Sequence, residues 1–163
     1  MYLPLDHFDQ PMRVVYTLRD KLRADPGYVA QVQAMTLNAE RPLLGLKGKH
    51  GLFGSDAWWE SIREGRIKTK VISGVITELF FAGQDSRWGD QVNSFWLKLD
   101  DGSTLQEGIY ATQKADRRLF VVGATVACAH ALDELKKQPG PGGTTNYAEA
   151  SLEVAVSVGP SAA

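Results

Sequence analysis

Hydrophobic and polar positions change period several times along the chain. From Lys68 the period is two: in KTKVISGVITELFFA, Val71, Val75, Leu79 and Phe81 fall on one parity and Ile72, Ile76 and Phe80 on the other. Successive side chains of a strand point to opposite faces, so this stretch predicts one long strand with both faces partly covered, and Gly74 marks a bend or bulge in it. NSFWLKLDDGSTLQEGIY then places Phe95, Leu97 and Leu99 on one face, an Asp101-Gly102 turn, and a returning strand with Leu105 and Ile109, which together predict a hairpin. Trp96 has the opposite parity and shares it with Lys98, outside the main core. In RRLFVVGATVACAHALDELKKQ, the residues Phe120, Val122, Ala124, Val126, Cys128 and His130 share a parity, with a helical turn expected at residues 132–137. After the breaker QPGPGGTTN, a strand is expected from Tyr147 to Val158, with Leu152, Val154 and Val156 inward and Glu149, Glu153 and Ser157 outward.

The first third reads differently. Met12, Val15, Leu18 and Leu22 recur at helical spacing behind Asp9 and Pro11, and Asp25, Pro26 and Gly27 end that helix. YVAQVQAMTL fits two elements: Tyr28, Ala30, Val32 and Ala34 alternate as on a strand, which is the expectation here, and the same residues also fit a continued helix. ERPLLGLKGKHGLFGS allows a short extended piece near Leu43 to Leu46 before a glycine-bent loop. Ser55 then reads as the N-cap of a helix in DAWWESIREG that Gly65 stops, with Trp58 and Ile62 on one face.

The elements sum to an α+β class, mainly antiparallel β, with a small barrel-like or strongly curved sheet and two or three short packing helices. One domain is expected over residues 1–163: a helical and loop portion packed on the sheet at 1–66, a barrel-like β core at 67–138, a flexible linker at 139–146 and a final strand at 147–158.

Composition narrows the function classes. The chain has 44% hydrophobic and 23% charged residues, both globular values. A formal charge of -1 gives no overall field to attract nucleic acid or anionic lipid, so neither is an expected partner. No apolar run approaches the length of a membrane span. The lone Cys128 cannot form an internal disulfide and the N-terminus lacks a secretory pattern, which favours a cytoplasmic setting.

Candidate chemistry is sparse. Gly45, Gly48, Gly51 and Gly54 recur every third residue, unlike either nucleotide-binding loop pattern, and neither HxH nor HExxH occurs, so no cofactor or metal set is expected. Cys128 and His130, two apart on a strand, are the best nucleophile and base pair in the chain, yet both lie in an apolar run. Asp85, Asp90, Asp100 and Asp101 read as solvated loop acids, and Arg63, Arg66, Lys68 and Lys70 as a solvated flank. The four tryptophans carry the binding argument. The expected partner or ligand residues are Lys49, His50, Trp59, Arg87, Trp88 and Trp96. Two readings stand: a non-catalytic module that binds a protein partner or a second copy of itself, and a small enzyme acting on an anionic ligand near the His50 loop.

Overall fold

The computed structural model describes residues 1–83 and 92–159. Among them, six strands form one sheet: β1 (Met12–Thr17), β2 (Lys68–Phe80), β3 (Ser94–Leu99), β4 (Thr104–Gly108), β5 (Thr125–Glu134) and β6 (Tyr147–Ser157). Three α-helices accompany it: α1 (Leu18–Ala24), α2 (Pro26–Leu37) and α3 (Asp56–Arg63). The strand order is β1-β6-β5-β2-β3-β4, and the β1/β6, β2/β3 and β3/β4 pairs are antiparallel.

This order corrects the barrel-like or strongly curved expectation. The sheet is open, with β1 and β4 as its two edges, so the α+β class stands and the β-barrel does not. Strand number, glycine bends and short antiparallel links point to curling, but none of them fixes the strand order. In β5 nearly every residue from Val126 to Asp133 is buried, whichever face it points to, because β5 is an inner strand covered on both sides.

Two compact units divide the chain, each discontinuous in sequence. The first comprises Met1–Thr17, Val71–Ala129 and Glu153–Ala163. Its core gathers Val15, Ile76, Phe95, Leu97, Phe120, Val126, Cys128, Val154 and Val156. Ser94 to Lys98 of β3 pair with Gly108 to Thr104 of β4, which realises the hairpin, with Phe95 and Leu97 fully buried as their parity predicts. Gly74 does not bulge: the register shift lies between Ile76 and Glu78. A Cβ at Gly74 would instead fall on the Lys98 carbonyl oxygen, so close approach of two backbones requires glycine there.

β1 replaces most of the helix expected near residue 12. Val14, Val15, Tyr16 and Thr17 form a β-branched and aromatic run that fits a pleated surface, and β6 supplies the partner strand. The outward set of β6 is also partly overturned: Glu153, Ala155 and Ser157 are buried, as befits an inner strand.

The second unit comprises Leu18–Lys70 and His130–Leu152. Asp25 and Pro26 open a helix rather than close one: the Asp25 carboxylate accepts the Tyr28 N–H at 3.1 Å and Pro26 occupies the first turn of α2. The stretch expected as a strand is therefore helical. No helical turn forms at residues 132–137; β5 continues to Glu134, and Leu135 bridges Leu46. At the Gly-Pro segment, the Gln138 side chain donates to the Leu135 and Asn146 carbonyls and accepts the Asn146 N–H, each at 2.8 Å.

Candidate protein-interaction surface

The loop and helix of residues 45–65 are built around Trp58. Ser55 caps α3 by accepting the Trp58 N–H at 3.2 Å, as its sequence signal predicts. Helical spacing then carries Trp58 and Ile62 inward, and Trp58 is fully buried. Its ring meets Phe53 and Trp59 edge-on, with centroids 5.0 and 4.8 Å away, while Phe53 in turn meets Tyr28 at 5.9 Å. The indole Nε1–H donates to Asp133 Oδ2 at 2.9 Å. Burial pushes the Asp133 carboxyl above the usual carboxylate range, and this hydrogen bond and the nearby His50 pull it partly back.

The glycine loop is held against that helix. A Cβ on Gly51, at φ 111°, would lie 2.7 Å from the Trp58 nitrogen, so the close approach excludes a side chain. Ser61 Oγ donates to the His50 carbonyl at 2.7 Å and accepts from Arg66 Nε at 3.3 Å. Lys47 and Lys49 approach Glu134 at 3.3 and 3.9 Å. Lys136 secures the other end: its ammonium donates to the carbonyls of Met35, Asn38 and Arg41 at 2.8, 3.3 and 3.2 Å. A cation there satisfies carbonyls left open at the C-terminus of α2.

Around this scaffold lies apolar surface without cover. Leu37, Leu43 and Leu44 are 69%, 64% and 50% exposed, and α2 buries none of its residues. Large apolar side chains left exposed mark surface for association only where they form one contiguous patch. No sequence signal singled these leucines out: Leu37 ends an apolar run, and Leu43 and Leu44 lie between Pro42 and Gly45, where a leucine reads equally as core or as turn.

The expected site residues separate accordingly. Lys49 is exposed, and His50 and Trp59 are half-buried, all three in the second unit. The Arg19 guanidinium stacks 4.2 Å from the Trp59 ring centroid. Trp96 lies in the first unit, half-buried beside Phe80, with ring centroids 6.2 Å apart. Arg87 and Trp88, like Asp85 and Asp90, lie outside the described residues. Of the basic flank, Arg63, Arg66 and Lys70 pair with Glu60, Glu64 and Glu149.

Neither member of the Cys128 and His130 pair is prepared for catalysis. Burial and the negative charge of Glu107 push the Cys128 thiol up to about 12, so the nucleophilic thiolate is scarce at neutral pH. Burial holds the His130 imidazole below its ordinary range, and its Nδ1 has no hydrogen-bond partner among the described residues.

Cys128 and His130 are thus both buried, and the largest exposed aliphatic side chains of the second unit are Leu37, Leu43 and Leu44. The family described as Immunity protein RhsI2 matches residues 12–157. The chain belongs to that family. No curated protein matches it. The match runs from the first residue of β1 to the last of β6, so Lys49, His50, Trp59, Trp96 and the exposed leucines all lie inside it, and residues 1–11 precede it. Membership agrees with a non-catalytic, protein-binding module. Among the described residues, no helix is long and apolar enough to cross a membrane.

Proposed function

We propose that the chain protects against a toxic protein by binding it, without chemistry of its own. The family match over residues 12–157 carries this reading. The contact face we assign lies on the second unit: the exposed Leu37, Leu43 and Leu44 supply apolar area, and the exposed Lys49 with the half-buried His50 and Trp59 supply polar and aromatic contacts. Aromatic and aliphatic anchors of this kind dominate binding energy at protein interfaces, while surrounding polar groups set register. Trp96 offers a further half-exposed aromatic in the first unit.

The test is growth of cells that produce a toxic protein encoded beside the gene for this chain, with and without the chain. Rescue by the chain, and its loss with Leu43→Asp plus Leu44→Asp at unchanged protein level, is the expected result. Failure to rescue from any such neighbour would sink the immunity reading. Rescue undiminished by the double substitution would sink the assigned face alone.

A further inference from the structure

The first unit holds a groove that none of the preceding contacts uses. Pro4, His7, Phe8, Asp9 and Gln10 form one wall, and Val71, Ser73, Gly74 and Val75 of β2 form the floor, with Asp100 and Thr125 at the margins. The space between them is about 440 Å³, within the range of pockets that hold a ligand group.

Its wall is fixed before anything binds. Glu153, buried on β6, accepts the N–H groups of Tyr2 and Leu3 through one oxygen at 2.7 and 3.0 Å. At the other end of the wall, Gln10 Nε2 donates to Thr125 Oγ1 at 2.7 Å, and the Pro11 carbonyl accepts the Val158 N–H at 3.1 Å. A segment tied at both ends loses little freedom when a partner arrives.

The floor and rim have opposite characters. Val71 and Val75 of β2 remain 45% and 43% exposed, although Val75 pairs with Lys98 across the sheet. Asp9 and Asp100 are exposed carboxylates with no hydrogen-bond or ion-pair partner among the described residues. The lining holds these two carboxylates and the His7 imidazole but, among the described residues, no lysine or arginine; Lys98 is the cross-strand partner of Val75 and Lys70 precedes Val71. An apolar floor under an acidic rim complements one kind of side chain, an aliphatic stem that ends in a positive charge.

We infer that this groove receives a lysine or arginine side chain of a polypeptide partner, its stem against Val71 and Val75 and its charge against Asp9 and Asp100. The wall residues Pro4 to Gln10 precede the family-matched residues 12–157, whereas the β2 residues, Asp100 and Thr125 lie within them. The inference goes beyond the immunity reading and stands or falls separately from it.

The test is an amide-resonance titration of the full chain with a blocked pentapeptide carrying one central arginine, and with the same peptide carrying neutral citrulline. The arginine peptide should shift resonances of His7, Asp9, Val71, Val75 and Asp100 saturably at millimolar concentration, and the citrulline peptide should bind several-fold more weakly. Asp9→Asn together with Asp100→Asn should weaken the arginine peptide by about three- to tenfold and remove its salt dependence. Equal binding of the two peptides, or shifts confined to residues away from the groove, would overturn the inference. Neither result touches the growth assay, so the two readings can fail independently.

Discussion

At the scale of single residues, the segment richest in aromatic and glycine residues serves the core as much as any surface. Trp58 was legible as a buried position from its spacing to Ile62 and its Ser55 cap; its bond to Asp133 was not, because the two are 75 positions apart. Trp58→Phe keeps an aromatic ring in the core but removes the Nε1–H donor from a buried carboxylate. We expect a loss of about 2 kcal/mol in urea unfolding, the scale of a hydrogen bond to a charged group. His130 has a different signature. Its folded pKa lies below its ordinary 6.5, so between those two values the unfolded chain binds a proton that the folded chain does not. Stability contributed by keeping it neutral is therefore present above about pH 6.5 and is lost as pH falls below it. Urea midpoints measured across this window should fall more steeply with acid for the native chain than for His130→Leu; parallel curves would show that the imidazole does not titrate on unfolding.

At the scale of elements, the hairpin, the long β2 strand and α3 were readable because periodicity, turn chemistry and capping all pointed one way. β1 and α2 were not. In β1, an apparent helical spacing of Met12, Val15 and Leu18 masked a β-branched run, and only pairing with β6 decides the outcome. In α2, Asp25 and Pro26 read as the end of the preceding helix, whereas they start the next one, the Asp25 carboxylate satisfying an open N–H. Lys136 was invisible for another reason: its three carbonyl acceptors belong to the end of α2 and the turn after it, nearly a hundred positions earlier. Lys136→Met should cost about 1–2 kcal/mol and should speed hydrogen exchange first at the end of α2. Gly74→Ala tests the sheet: the added methyl meets the Lys98 carbonyl, and we expect a loss of about 1–3 kcal/mol by thermal or urea unfolding. A neutral effect there would mean that β2 and β3 can separate at no cost.

At the scale of the whole molecule, the α+β class was legible and the sheet's closure was not. Burial on both parities, as in β5, is common to an inner strand of an open sheet and to a strand of a curled one, and only strand order separates them. The proposed binding face was legible in part. Lys49, His50 and Trp59 stood out by residue type, whereas Leu37, Leu43 and Leu44 show their meaning only once the helices and loop leave them uncovered. The groove beside β2 was missed altogether, since its wall and floor come from segments some sixty positions apart that alternation alone does not bring together. Binding without catalysis is the central claim, and stoichiometry tests it most directly. Residual activity of the purified toxic protein should fall linearly as the chain is added and reach its floor at a fixed molar ratio, with a complex of the same ratio in light scattering. Complete inactivation by a small fraction of an equivalent, with no complex formed, would contradict it and point to an enzyme.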